Sequence, residues 1–145
     1  MPTGLQGQII LNTRPRHQQG DLTALLERQG ARVLSFPVIE IVPIENPELA
    51  QRLVQEVQQF DILLFVSRNA VDGAFRMLDA VQLASNLSFG VIGTATRRAL
   101  AERITNLDQC LVAGEPYNSE ALLDADDLQQ VAGKRIMIFR GQQGR

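Results

Sequence analysis

The sequence has little of the chemistry that usually marks a metal or redox site. Its 145 residues include one cysteine, Cys110, and one histidine, His17. A single cysteine excludes an internal disulfide, and the soft or imidazole ligands that a metal needs are too few. We therefore predict no metal site and no redox function. Cys110 is expected to be a small buried residue in a strand, and His17 an exposed residue in a first turn.

Long apolar runs are also missing. No stretch approaches the roughly eighteen uninterrupted apolar residues of a membrane span, and the first residues lack the basic and then apolar pattern of a secretory signal. With 45% apolar residues and a net charge of −2, the chain is long enough for one ordinary core, or for one domain and part of another. These properties predict a cytoplasmic protein with no membrane partner.

Strands and helices alternate along the chain. Short apolar runs predict strands at 8–12, 31–37, 61–66, 89–92, 109–113 and 135–139, and helical spacing between them predicts helices that include 94–103 and 119–130. Asn46 is expected to cap a helix with Pro47 in its first position. The segment 38–44, which Pro37, Pro43 and Pro47 punctuate, is expected to connect two domains. Continuous apolar strands between helices indicate an α/β fold whose parallel sheets are covered on both faces.

The segment from Gly7 to Arg14 resembles the segment from Gly133 to Arg140, with glycine, isoleucine and arginine at matching positions. The first copy continues into a helix and a strand, and a second copy is expected to do the same. Because nothing follows Arg145, the sequence predicts a chain that is cut inside a β-α-β unit.

Basic and hydroxylated residues follow the predicted strands, where open parallel sheets bind ligands. Seven of the thirteen arginines lie in these turns, which read Thr13-Arg14-Pro15-Arg16, Ser67-Arg68-Asn69, Gly93-Thr94-Ala95-Thr96-Arg97-Arg98 and Arg140-Gly141-Gln142-Gln143-Gly144-Arg145. Arginine and free N–H groups at helix starts both suit an anion. No basic face interleaved with aromatic residues supports a nucleic-acid partner. The turns therefore predict an anionic small-molecule ligand.

Each of these residues also has a purely structural interpretation. Ser67, Thr94 and Ser119 taken singly are typical helix caps, and adjacent arginines such as Arg97 and Arg98 usually lie on a solvated helix face. Tyr117 is expected to pack on the surface rather than to act as an acid. Genome composition explains the preference for arginine over lysine as well as a ligand does.

Several motifs in register resemble the uroporphyrinogen-III synthase family. They are Thr13-Arg14-Pro15, Gly30-Ala31-x-Val33 leading to Pro37-x-Ile39-x-Ile41, Phe65-Val66-Ser67-x-Asn69-Ala70-Val71, Val91-Ile92-Gly93-x-Ala95-Thr96, Ser119-Glu120-x-Leu122-Leu123 and Arg140-Gly141-x-x-Gly144-Arg145. The resemblance implies two Rossmann or flavodoxin-like parallel-sheet domains, here incomplete. Residues 1–38 would open a discontinuous first domain, and residues 39–145 would form the second domain without its last helix and strand.

For the full-length protein the resemblance implies a monomeric, cytoplasmic hydro-lyase without a cofactor. It would cyclise hydroxymethylbilane, a linear tetrapyrrole with eight carboxylates, to uroporphyrinogen III in haem, sirohaem, cobalamin or chlorophyll biosynthesis. The substrate-binding positions that match the family are Thr13, Arg14, Ser67, Asn69 and Thr96, followed by Ser119 and Arg140. No catalytic residue is assigned, because the family's cleft tyrosine would fall beyond Arg145. Val66 replaces a common family threonine, so a hydroxyl contact there is not expected.

The sequence leaves other functions open. A non-catalytic module that binds small anions would share the α/β layout and the basic strand ends. A flavodoxin-like signalling receiver would need an acidic pocket, which these strand ends lack. We expect the 145-residue chain to be inactive alone, since half of the family's substrate cleft is not encoded, and to expose apolar surface of its first domain.

Overall fold

The structure, a computed structural model, describes residues 4–78, 83–105, 107 and 110–141. The chain divides into two compact units, residues 1–43 and 44–145, which we call unit 1 and unit 2. The domain boundaries that the sequence suggests, 1–38 and 39–145, stay predictions, as does the discontinuity of the first domain. Gln109 of the fifth predicted strand and residues 142–145 of the last predicted turn lie outside the described residues.

Unit 1 is a β-α-β unit with two parallel strands. Strand β1 (Ile9–Asn12) is followed by a 3-10 turn (Arg16–Gln18), helix α1 (Gly20–Arg28) and strand β2 (Arg32–Ser35). Helix α1 ends at Arg28, because Gly30 takes the left-handed backbone with φ at 90° and its N–H donates to the Glu27 carbonyl at 2.9 Å.

One face of this small sheet carries exposed apolar side chains. Ile9 and Leu11 of β1 lie in register with Arg32 and Leu34 of β2 on that face. The exposed fractions of the three apolar side chains range from 41% for Leu34 to 63% for Ile9. These exposed fractions indicate that this face of unit 1 is uncovered within the described residues, whereas an apolar sheet face is normally covered by another layer of structure.

Unit 2 holds the larger sheet. Its elements are α2 (Pro47–Glu56), a 3-10 turn (Val57–Gln59), β3 (Ile62–Phe65), α3 (Arg68–Leu78), β4 (Ser88–Val91), α4 (Thr94–Ala101), β5 (Cys110–Val112), α5 (Ser119–Leu123), a 3-10 turn (Asp126–Leu128) and β6 (Ile136–Phe139). The four strands are parallel in the order β5-β4-β3-β6. The predicted α/β class with parallel sheets is confirmed.

Strand β3 is buried on both faces, as its continuous apolar sequence predicts. Leu63 and Phe65 belong to one apolar cluster with residues of α3 and α4, whereas Ile62 and Leu64 belong to a second cluster with Leu122 of α5. The ring of Phe65 also stacks on Phe139 of β6, with 4.8 Å between centroids and an angle of 6° between planes. The centre of the sheet is therefore fixed from three directions.

The single helix predicted for residues 119–130 is wrong. Helix α5 ends at Leu123, and Ala125 takes an extended backbone with ψ at 132° before the 3-10 turn. Aspartate is a poor residue for a helix interior, and this segment contains Asp124, Asp126 and Asp127 within four positions. The side chain of Gln129 stabilises the break by donating a hydrogen bond to the Leu123 carbonyl at 2.6 Å.

The internal repeat read from the sequence has a structural counterpart. Gly7 and Gly133, the two aligned glycines, both take left-handed backbone, with φ of 78° and 76°. Each lies in a turn just before a strand, β1 or β6, so the aligned segments share a turn-to-strand geometry that favours glycine. Among the described residues no helix has both the length and the apolar character to cross a membrane.

Candidate functional site

The predicted ligand-binding turns of unit 2 lie at one edge of its sheet. Since all four strands are parallel, their carboxyl ends meet at that edge. Backbone hydrogen bonds continue the sheet by one residue: Val66 donates to Phe139 at 3.3 Å, and Ile92 donates to Phe65 at 3.3 Å. The turns that hold Ser67, Thr96 and Arg140 therefore start beside one another.

Ser67 has the structural role of a cap. Its Oγ accepts a hydrogen bond from the backbone N–H of Ala70 at 3.2 Å, at the start of α3. Asn69 follows in the first turn of the same helix, where it is half-buried. A serine that caps a helix is bound to one N–H but keeps a lone pair and a proton for other partners.

Thr96 is held even more firmly. Its side chain is 4% exposed, and Oγ1 donates a hydrogen bond of 2.9 Å to the carbonyl of Ile92 at the end of β4. The threonine thus fixes the first turn of α4 to the strand end. Thr94 is exposed, and the helix starts at Gly93, with φ at 81°, without a side-chain cap. The interpretation of Thr94 as a cap is therefore wrong.

The loop after β5 also departs from the sequence-based interpretation. Asn118 caps α5, because its side-chain oxygen accepts from the N–H of Ala121 at 2.8 Å, so Ser119 is an exposed first residue rather than the cap. Tyr117 precedes it with φ at 54°, and its Cβ lies 3.7 Å from the position that a Cβ on Gly93 would occupy. Tyr117, which is 45% exposed, therefore lies close to Gly93, at the same edge as the β4 turn.

The arginines of unit 2 differ in their surroundings. Arg68 pairs with Asp72 at 3.8 Å and with Glu102 at 3.9 Å, so its charge is partly neutralised. Arg97 and Arg98 are exposed, which agrees with their interpretation as a solvated helix face. Arg140 follows β6 directly and is exposed as well. The sheet edge keeps positive charge, although less than the count of arginines suggests.

In unit 1 a buried polar network holds the turn with Thr13 and Arg14. Gln19, 7% exposed, donates from Nε2 to the carbonyls of Asn12 at 3.2 Å and Arg14 at 2.7 Å, and its Oε1 accepts from Ser35 at 2.5 Å. Asn12, 3% exposed, donates to Thr23 at 3.1 Å and accepts from the N–H of Arg14 at 3.3 Å.

This network shapes the turn while the side chains of Thr13 and Arg14 stay exposed. Sequence reasoning missed Asn12 and Gln19. The only signal was a polar residue at each end of the turn, and polar residues are common in any turn.

Two further predictions concern metal and thiol chemistry. Within the described part of the chain, no three His, Cys, Asp or Glu side chains lie close enough to hold a metal ion. Cys110 lies half-buried in β5, where burial raises the pKa of its thiol and the positive charge of Arg97 partly opposes the rise. The thiol therefore stays protonated near neutral pH and is a poor nucleophile.

The geometry defines an α/β protein whose candidate site lies at the carboxyl ends of parallel strands. Comparison with known proteins is consistent with this class. Residues 20–145 match the family model described as uroporphyrinogen-III synthase HemD. The chain belongs to the uroporphyrinogen-III synthase family, as the motifs predicted.

Individual relatives agree with the family assignment. The chain is 33% identical over 141 residues to the uroporphyrinogen-III synthase of Escherichia coli K12, covering 94% of this chain and 55% of that protein. It is 30% identical over 138 residues to the Proteus mirabilis synthase, covering 94% and 68%. It is similar in fold, with a TM-score of 0.56 and 19% identity, to a crystal structure of a mutant uroporphyrinogen III synthase from Thermus thermophilus, over 92% of this chain and 61% of that one. The chain spans about half the length of most of the curated relatives it matches.

Proposed function

We propose that this chain forms part of a uroporphyrinogen-III synthase, which cyclises hydroxymethylbilane to uroporphyrinogen III with inversion of the last pyrrole ring and loss of water. The family match over residues 20–145 is the observation that carries the proposal. The reaction is a hydro-lyase step of porphyrin biosynthesis that needs no cofactor. Its substrate is an octacarboxylate, and the strand-end turns of both units supply positive charge.

In this proposal the protein acts first as a template. Hydroxymethylbilane closes on its own to the non-inverted isomer, so the protein must hold the chain where the substituted carbon of the last ring attacks. Arg14 and Arg140 are proposed to bind substrate carboxylates, because both are exposed at the ends of β1 and β6. Each carboxylate that is bound removes freedom from the flexible chain and so favours the geometry of the inverted product.

The hydroxylated and amide residues are proposed to complete the substrate site. Asn69 and Ser119 lie in first turns at the same sheet edge and offer hydrogen bonds to carboxylates. Ser67 is proposed to contribute through the hydroxyl proton that its capping bond leaves available. Thr96 is proposed to act indirectly, by fixing the start of α4, since its own proton is donated to Ile92. Thr13 is proposed to flank Arg14 as a neutral donor.

The reaction is tested with a chimera in which residues 1–145 replace the aligned part of the Escherichia coli synthase. Hydroxymethylbilane is added, and the uroporphyrinogen isomers are separated after oxidation. We expect the inverted isomer III to exceed the protein-free blank, and residues 1–145 alone to yield only the spontaneous isomer. The intact Escherichia coli synthase is the positive control. A cooperatively folded chimera that leaves the isomer ratio unchanged refutes the proposed reaction and favours the alternative, a non-catalytic module that binds small anions.

Within the chimera, Arg14→Gln is the sharpest variant. If Arg14 binds a substrate carboxylate, KM rises by about tenfold, since an exposed charge-assisted hydrogen bond is lost. Arg28→Gln is the matched control, because Arg28 is an exposed arginine in the last turn of α1. Equal KM values for the two variants would remove Arg14 from the substrate site. Cytoplasmic location, a monomeric full-length protein and the absence of a nucleic-acid partner stay predictions from the sequence.

A further inference from the structure

Unit 1 contains a pocket at the carboxyl ends of β1 and β2. Its volume is about 430 Å³. Pro15, Arg16 and His17 line one side, and the opposite side is formed by the segment after β2, through Pro37 and residues 39–41. This volume falls within the range of roughly 300–1,000 Å³ that is typical of small-molecule sites.

The two sides of the pocket are connected by hydrogen bonds. The N–H of Val38 donates to the carbonyl of Thr13 at 3.2 Å, and the N–H of Phe36 donates to the carbonyl of Asn12 at 2.9 Å. On the first side, the N–H of Gln18 donates to the carbonyl of Pro15 at 2.8 Å and closes the 3-10 turn. These bonds hold the backbone beside the pocket, at residues 12–18 and 36–38, before any ligand arrives, which lowers the entropic cost of binding.

The walls combine three kinds of chemistry. Pro15, Pro37, Ile39 and Ile41 supply apolar surface for a flat ring, Arg16 supplies a planar cation, and Glu40 supplies a carboxylate that accepts hydrogen bonds. Arg16 can pair with an anionic group of a ligand, and Glu40 can accept a hydrogen bond from a donor on the same ligand. The combination suits a ring that carries both an acidic side chain and an N–H donor.

We infer that this pocket binds one carboxylated pyrrole ring, with Arg16 on its carboxylate and Glu40 on its N–H. The inference rests on the proposed function, since a linear tetrapyrrole offers rings of this kind. The volume of about 430 Å³ lies in the range of sites that bind small molecules, which agrees with a single ring and its short side chains. The pocket thus takes a single ring of the substrate and orients it by its nitrogen.

The inference is tested on residues 1–145 with pyrrole-3-propionate as the probe, followed by NMR titration of the ¹⁵N-labelled chain. We expect the largest amide shifts at Arg16, His17 and residues 39–41. Arg16→Gln weakens binding about tenfold, because a charge-assisted hydrogen bond is lost, whereas the matched control Arg28→Gln changes it less than twofold. Equal affinities of these two variants, or shifts confined to other residues, overturn the inference.

The role of Glu40 needs a second probe, the N-methyl form of the same compound, which has no N–H to donate. The unmodified chain is expected to prefer pyrrole-3-propionate by about fivefold, and Glu40→Leu is expected to remove that preference. Glu27→Leu, which changes an exposed glutamate of α1, should retain it. A preference that persists in Glu40→Leu arises from the size of the methyl group and overturns the assignment of Glu40.

The outcomes separate this inference from the proposed reaction. If the chimera makes no isomer III but the titration gives the expected pattern, the pyrrole pocket stands and the reaction fails. If isomer III is made while the monopyrrole binds elsewhere or not at all, the reaction stands and the pocket inference fails.

Discussion

Replacing Gln19 with leucine tests whether the polar network of unit 1 holds the turn that carries Thr13 and Arg14. Leucine keeps the approximate volume of glutamine but removes both hydrogen-bond donors and the acceptor. Three hydrogen bonds are lost, two donated to the carbonyls of Asn12 and Arg14 and one accepted from Ser35. The substitution therefore removes the polarity of the side chain and leaves its packing volume nearly unchanged.

The size of the free-energy loss depends on which hydrogen bonds the former partners of Gln19 can still make. The carbonyl of Asn12 keeps the N–H of Phe36, and Ser35 is exposed and gains water. The carbonyl of Arg14 loses its 2.7 Å partner beside an apolar side chain. At about 1 kcal/mol for each neutral hydrogen bond, with part of the loss recovered by hydration, the local free energy of opening falls by about 2 kcal/mol.

Amide hydrogen exchange measures this local opening. The N–H groups of Phe36 and Val38 close the end of the β1–β2 sheet and should exchange about thirtyfold faster in Gln19→Leu. Gln8→Leu, an exposed glutamine before β1, is the control, and the amide of Ile92 in unit 2 is the internal reference. An increase of less than threefold at Phe36 in a folded variant would refute the stabilising role of the network.

Three further predictions concern unit 2. Gly90→Ala should lower the free energy of unfolding by about 1–3 kcal/mol in urea, because its Cβ would clash with Leu64 Cδ2. Adding Leu64→Ala should cost less than the two single changes summed. Asn118→Ala should cost about 1 kcal/mol in the same assay and Ser119→Ala almost nothing, whereas equal losses would contradict the assignment of the cap. Iodoacetamide should alkylate Cys110 more slowly in the folded chain than in denaturant at pH 8, since burial raises its pKa. The stability that this pKa shift contributes is present below the pKa of the unfolded thiol and is lost as pH rises through the pKa of the folded thiol. A faster alkylation of the folded chain than of the denatured chain would refute the shift.

The strands of the fold were predictable because apolar runs carry a direct signal. Ile62 to Phe65 is buried on both faces, and such a strand needs no polar alternation. The cap at Asn46 was equally predictable, because a capping residue followed by proline is a local pattern, and its side chain accepts the N–H of Leu49 at 3.0 Å. Signals of this kind depend only on neighbouring residues in the sequence, so they can be recognised without knowledge of tertiary contacts.

The remaining features depend on contacts between distant residues. The pairing of Gln19 with Ser35 spans sixteen positions, and no spacing rule indicates it. The position of β6 beside β3 likewise follows from packing such as the Phe65–Phe139 stack rather than from chain order. The choice of Asn118 over Ser119 as the cap was ambiguous, because both residue types cap helices well and they are adjacent. The sequence thus predicted which turns form the candidate site, but not how their side chains are arranged.

The strand order β5-β4-β3-β6 has a consequence for how the chain is made on the ribosome. Strand β3 gains β4 as a neighbour soon after it is synthesised, but its other edge stays open until β6 emerges. At about 5–20 residues per second, the stretch from Val91 to Phe139 takes roughly 2–10 s to translate. During that interval β3, which is buried at every position in the folded chain, has an unpaired edge, and an unpaired strand edge favours association with other chains. Slow codons in this stretch would therefore reduce the yield of folded protein more than slow codons after Phe139. Scarcity of chaperones during this interval would reduce the yield as well.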